Sequence, residues 1–186
     1  ARSIYVRLIR SRAKDLAGNY SAWAATRSFR VDLTNPGVTD LQADTTYFLT
    51  ANLESYNVDF TDAGGSKLSY FQVKATSGAA QSGALIAEWM TVQSALDTNS
   101  FTANWSLPSS VWDDLYSGPT NYISVRAFDA ANNSFSLTDA FTVWKDTKAP
   151  TVLDNQAEPG WVNAAGTPYN VDFRDLESGL ATAQYR

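Results

Sequence analysis

The 186 residues carry 14 basic and 19 acidic side chains, a formal charge of −5, and neither cysteine nor histidine. That absence removes Cys-based zinc sites, imidazole ligand sets, cysteine nucleophiles and the Ser-His-Asp triad, and it rules out a disulfide scaffold. An acidic, aromatic-rich chain is a poor polyanion binder, so nucleic acid is not an expected partner, and no apolar run approaches the roughly 18–20 residues of a membrane span.

The charge is uneven: residues 1–36 hold seven basic and two acidic side chains, whereas 37–149 hold five and twelve. Arg7, Arg10 and Arg12 alternate with other residues as on a solvated strand face. A strand is expected at 38–42. Tyr56, Val58 and Phe60 point one way and Asn57 and Asp59 the other, the pattern of a half-buried strand, and the turn-rich TDAGGSK follows. LSYFQVKA (68–75) reads as a strand. The pattern over 84–96 admits either a strand at 86–92 or a short helix. Phe101, Ala103, Trp105 and Leu107 line one side of the next strand, which Pro108 ends. SSVWDDLYSG (109–118) reads as a tight helical turn. YISVRAF (122–128) places Ile123, Val125 and Ala127 inward, DAANN is a hairpin loop, and FTVWK (141–145) is the last strand before the DTKAP linker. About seven short strands and no long amphipathic helix predict an all-β fold, two antiparallel sheets packed face to face.

The sequence also repeats. At an offset of 114, Arg12, Ala13, Asp15, Ala17, Asn19, Asp32, Pro36, Val38, Asp40, Gln42 and Ala43 recur as Arg126, Ala127, Asp129, Ala131, Asn133, Asp146, Pro150, Val152, Asp154, Gln156 and Ala157. After a one-residue deletion, YNVDF at 56–60 returns at 169–173. The register divides the chain into the C-terminal part of one unit (1–36), a complete unit (37–149) and the N-terminal part of another (150–186). Series of such units act by reach and mechanics more than by chemistry. The two part-units could instead complete each other between molecules, but their 73 residues lack the middle strands of the unit.

These motifs resemble a known family. YISVRAFDAANNS followed by DTKAPTV (146–152), the upstream RAKDLAGNYS (12–21) and VDLTNPGV (31–38), and DLESGL with AQYR (175–186) are similar to the bacterial Ig-like domains that stand in tandem on surface proteins and adhesins. The resemblance covers essentially the whole chain. It implies tandem Ig-like antiparallel β-sandwich domains, a structural role outside the cell or on a bacterial cell surface, and neighbouring repeats, or identical chains in a fibre, as partners. One departure is that Gly18 of the first copy becomes Asn132 in the second, a residue that tolerates the same left-handed turn.

The candidate sites follow from this topology. The resemblance brings the loop after 56–60, the last hairpin loop and the incoming linker to one pole, gathering Asp32, Asp62, Asp129 and Asn133. Hard oxygen donors suit Ca²⁺, and related arrays are stiffened by calcium between domains. The plainer reading is that Asp129 caps its own hairpin and Asp32 its own linker turn; no cofactor is required for the fold. Trp105 is in phase with Phe101 and Leu107 and Trp112 falls on the connecting turn, so both read as core, whereas Trp144, out of phase with Phe141 and Val143, and Trp89 are the exposed candidates for sugar stacking. Tyr122 stands where sandwiches place a tyrosine whose hydroxyl bonds to nearby backbone. Asp113 and Asp114 adjoin in a turn from which they diverge, so no pair of carboxylates is set for acid/base work and no enzyme is expected. The rival readings are a carbohydrate-binding module and non-catalytic spacer domains of a large secreted hydrolase.

Overall fold

The alternation of 56–60 organises the core: Tyr56, Val58 and Phe60 are fully buried, while Asn57 and Asp59 remain half-buried. The computed structural model describes residues 5–53, 55–118, 120–157, 160–161 and 168–186, with Tyr5 and Val6 by backbone only. In chain order the elements are β1 (Tyr5–Ile9), β2 (Arg27–Val31), β3 (Gly37–Asp40), β4 (Val58–Thr61), β5 (Leu68–Gly78), β6 (Ser82–Thr98), β7 (Ser100–Phe101), α1 (Ser109–Asp114), β8 (Asn121–Asp129), β9 (Ser134–Val143), β10 (Thr151–Asp154) and β11 (Val171–Arg174).

The chain is all-β. A three-stranded antiparallel sheet, β3-β4-β7, faces a four-stranded one, β6-β5-β8-β9. The segment after β3 crosses between them: Leu49 N–H donates to Trp144 O (2.8 Å) and Asp146 N–H to Leu49 O (3.0 Å), covering the outer side of the last strand. Stacked or tilted rings fill the space between the sheets, with Phe60 on Phe71 (4.2 Å between centroids), Tyr56 on Phe141 (4.8 Å) and Trp105 beside Phe71 (5.3 Å). Aromatic pairs in such geometry add about 0.5–1.5 kcal/mol each beyond burial.

Of the positions expected inside, Tyr56, Val58, Phe60, Trp105, Ile123, Val125, Phe141 and Val143 are buried, and Phe101 is half-buried. Three expectations need correction, and one open alternative is decided. The strand expected over 101–107 is reduced to Ser100–Phe101 and a single bridge, Tyr56 to Trp105, with Ala103 exposed. The reason is local: the Val58 carbonyl, which an unbroken ladder would offer to Ala103, accepts the Trp105 indole N–H at 3.2 Å. The 84–96 segment is a strand, part of the 17-residue β6, but its register against β5 slips repeatedly and Ala95 and Asp97 take left-handed φ of 55° and 45°. Each bulge flips the inward phase, so a strict period of two was not there to read. Trp144 is half-buried and packs on Phe48 at 5.5 Å. Tyr122 is half-buried, and its hydroxyl makes no hydrogen bond among the described residues; Pro119 of the turn before it lies outside them.

The smaller sheets follow the same pairing. β10 and β11 pair Val152 with Phe173 and Asp154 with Val171, the counterparts of Val38 with Phe60 and Asp40 with Val58. Gln42 Oε1 accepts Asn57 N–H at 2.9 Å, and Gln156 Oε1 accepts Asn170 N–H at 3.0 Å. The β1–β2 hairpin pairs Arg7 with Phe29 and Ile9 with Arg27, where β8–β9 pairs Asn121 with Val143 and Ile123 with Phe141. Both hairpin loops are left-handed at the matching residue, Gly18 at φ 97° and Asn132 at φ 68°. The asparagine therefore takes over the turn that the glycine makes.

Candidate metal centre

Three carboxylates meet at the pole where the first linker enters. Asp62 follows β4 in a tight turn: Oδ1 accepts Gly64 N–H (2.7 Å) and Oδ2 accepts Lys67 N–H (2.6 Å). Asp129 ends β8 and closes its hairpin, with Oδ1 accepting Asn133 N–H and Oδ2 accepting Asn133 Nδ2–H, both at 2.7 Å. Asp32 follows β2. Its Oδ1 accepts Thr34 N–H (3.0 Å) and its Oδ2 reaches across 34 residues to accept Ser66 N–H (2.9 Å). One oxygen from each of Asp32, Asp62 and Asp129 lies within 4.8 Å of the others. The three residues are 9%, 4% and 2% exposed.

Gly64 makes room for this. A Cβ on it would stand 2.2 Å from Asp32 Oδ1, and Asp32 is held by two backbone donors, so a side chain there displaces the carboxylate. Asn133 joins through its amide nitrogen, donating to Asp129 Oδ2 and to the Asp32 carbonyl (3.1 Å). It serves as a tie between linker and hairpin, which leaves the three carboxylates as the candidate ligands.

Burial raises the Asp32 pKa, but the backbone N–H groups of Thr34 and Ser66 and the Ser66 hydroxyl outweigh it, so the carboxyl sits below its ordinary range and ionises readily. The ion pairs of the described residues, Lys67–Asp97, Lys74–Glu88 and Lys148–Glu177, do not include these three acids. Two like charges at such a distance repel by about 3–4 kcal/mol at an effective dielectric near 20. Backbone donors offset part of this. The set also fits a hard divalent cation: bonds of about 2.3–2.6 Å let opposite ligands stand up to roughly 5 Å apart, and each oxygen keeps a second lone pair.

The second linker has a related arrangement. Asp146 Oδ1 accepts Lys148 N–H (2.9 Å), and its pKa is lowered first by the Ser178 hydroxyl and then by the Lys148 backbone. Asp175 Oδ1 accepts Glu177 N–H (3.0 Å) and Gly179 N–H (2.8 Å). Lys148 Nζ meets Glu177 at 2.6 Å, an added pair across this joint.

The other candidates disperse. Asp113 and Asp114 are exposed on α1. Trp89 is half-buried, with the Arg126 guanidinium 4.3 Å from its ring centroid and held there by Gln72 Oε1 (2.7 Å), so one indole face is already taken. Sequence reasoning missed Gly64, Ser66 and Lys145; the Gly-Gly-Ser run after Asp62 was the available signal for the first two. No protein-family model matches the chain, and no curated protein does either.

Proposed function

We propose that this chain is a structural, non-enzymatic stretch of tandem Ig-like repeats in a large extracellular bacterial surface protein, fibre or adhesin stalk. The observation that carries the reading is the recurrence of one register and one linker clamp. Asp32 and Asp146 each accept the N–H two residues on and engage a serine in the turn after the next unit's β4-type strand. Pro36 and Pro150 follow each clamp and restrict the backbone further, so successive units would keep a set orientation. The test is a recombinant protein with three copies of 32–149 in series, pulled by its ends. The reading expects repeated unfolding events, each releasing about 40 nm of chain at roughly 0.35 nm per residue. A single event, or gradual extension without discrete events, would sink it. Binding to a glycan array would favour the carbohydrate-binding alternative, and a catalytic domain in the same open reading frame would favour spacers of a secreted hydrolase.

The convergence of Asp32, Asp62 and Asp129 favours a second element of this reading, a Ca²⁺ site at the joint. Each carboxylate already has backbone donors, so the ion would add stiffness to a formed joint and would not be needed for folding. Three carboxylates without a bidentate glutamate suit the weak end of calcium affinity, on the order of 10⁻⁴–10⁻³ M. Calorimetric titration with Ca²⁺ should show one such site that Asp129→Asn weakens at least tenfold. No heat at millimolar Ca²⁺, or equal binding by the variant, removes calcium from the reading.

A further inference from the structure

The chain enters the complete sandwich at one pole and leaves it at the other. Asp32 meets Asp129, the last residue of β8, at the entry, and Asn121, the first, donates from Nδ2 to Val143 O (3.1 Å) at the exit. The nine-residue β8 sets the poles roughly 30 Å apart. Tension along a series of units therefore draws the segment that follows β3 toward the entry and the end of β9 out through the exit.

Those two segments lie side by side. Residues 44–49 run parallel to 142–146, with a parallel bridge from Leu49 to Lys145. Thr142 N–H donates to Asp44 Oδ1 (2.7 Å), Trp144 N–H to Thr45 Oγ1 (3.0 Å), Leu49 N–H to Trp144 O (2.8 Å) and Asp146 N–H to Leu49 O (3.0 Å). On the other side of the exit strand, Ser117 makes a second parallel bridge to Lys145, and Gly118 N–H donates to Lys145 O at 2.8 Å. Bonds spaced evenly between parallel neighbours lie across an opposed pull and share it, whereas peeling would break them one at a time.

The residue gripped on both sides also carries a buried charge. Lys145 is 6% exposed, and its ammonium donates to the carbonyls of Trp112, Asp113 and Leu115. Drawing the strand toward the linker strips that ammonium from three acceptors at once, and hydrogen bonds to a charged group are the stronger ones. Val31 holds the matching position before the first linker and has no ammonium, so the feature belongs to the complete unit and is not a property of the repeat.

We infer that residues 142–146 bear the tension in this unit, with the Lys145 ammonium as their catch: the core opens only after Lys145 leaves its carbonyls. The inference rests on the stalk reading above and adds to it the place where the unit yields. Asp146, which starts the clamp on the following segment, adjoins the catch, so load arriving through the linker reaches Lys145 first.

Force-clamp pulling of the 186-residue chain tests this, using attachment cysteines that meet no native thiol. Held at Ala1 and Arg186, the chain loads the exit; held at Ala1 and Ser136, an exposed position in β9, it does not. In the first arrangement the parent should give one discrete step of about 40 nm for the complete unit. Lys145→Met should shorten the lifetime of that unit at constant force about tenfold or more, the scale of one charged hydrogen bond lost at the barrier. In the second arrangement the same substitution should change the lifetime by less than about twofold, because the contact then breaks after the barrier. Asp44→Ala removes the acceptor of Thr142 N–H at an exposed position, should shift the two lifetimes in the same way, and keeps the test standing should Lys145→Met fail to fold. Equal shortening in both arrangements would make these residues general stabilisers and overturn the inference. An end-pulled lifetime indifferent to both substitutions would overturn it as well, while the discrete step leaves the stalk reading in place. A parent without any discrete step removes the stalk reading and this inference together.

Discussion

At the residue scale, the entry pole depends on one missing methyl group. Asp32 can accept from Ser66 only because Gly64 leaves the space its carboxylate occupies. Gly64→Ala and Asp32→Ala should each destabilise the chain by about 1–3 kcal/mol, the cost of leaving buried donors unpaired. The double variant should cost little more than either, since both break the same contacts; full additivity in urea denaturation would show that Gly64 has a separate role. Protonation tests two further residues. The Asp32 carboxyl has a lowered folded pKa, so the stability it contributes is complete above about pH 4 and is lost as pH falls through the folded value. Tyr56 is the opposite case: burial raises its pKa, so the unfolded chain ionises first, near pH 10, and stability drops as pH climbs past that point. Among the described residues its buried hydroxyl makes no hydrogen bond of good geometry, the Leu53 backbone being the polar group beside it. Tyr56→Phe should therefore be neutral or stabilising by up to about 1 kcal/mol at pH 7 and should remove that alkaline loss; an unchanged profile above pH 10 would exonerate Tyr56. Of these residues, the sequence marked Asp32 by its recurrence and Tyr56 by its phase. Gly64 looked like an ordinary turn glycine, because its role depends on a residue 32 positions away.

At the element scale, α1 is too short to be stable alone and is held by a side chain that the alternation pattern could not flag. Lys145, 6% exposed, donates from Nζ to the carbonyls of Trp112 (2.7 Å), Asp113 (3.0 Å) and Leu115 (3.2 Å), and lies 5.2 Å from the Trp112 ring. A cation at a helix C-terminus satisfies carbonyls that the helix itself leaves open. Lys145→Met keeps the stem and strands those carbonyls, and should lower stability by about 2–4 kcal/mol with a lower denaturation midpoint. A loss under about 0.5 kcal/mol would mean that water replaces the ammonium without cost. The repeat register offered no hint here, since the counterpart of Lys145 is Val31. The same limit explains the long strands. β4 alternates evenly, β5 does so from Phe71 to Ala75, and Ile123, Val125 and Ala127 of β8 all face inward, so these stretches were legible, but β6 changes phase at each bulge. Asp139, left-handed at φ 51° within β9, accepts Ala80 N–H from the β5–β6 turn at 2.5 Å, a contact between residues 59 apart that no local pattern encodes.

At the scale of the whole molecule, the question is what fixes the β1–β2 hairpin and its linker against the sandwich. Hydrogen bonds and proline act in any medium, whereas a cation among three carboxylates acts only when it is supplied. The two contributions separate in one experiment, and the absence of native cysteine makes it clean. Spin labels on cysteines introduced at Ser28 and Asn104, both exposed, report the distance between the β1–β2 hairpin and the sandwich. With EDTA the parent should already give a narrow distribution, because Thr34, Ser66 and Asn133 hold Asp32 without any metal. Millimolar Ca²⁺ should narrow it further by removing carboxylate repulsion. Asp32→Ala should broaden it in both media, since it removes the clamp and a ligand together, whereas Asp129→Asn, which leaves one oxygen for Asn133, should broaden the EDTA width less and lose the calcium response. A broad parent distribution in EDTA that sharpens only with Ca²⁺ would make the ion the fastener and the hydrogen bonds secondary. A width indifferent to Asp32→Ala would move the stiffness of the joint to Pro36 and to packing.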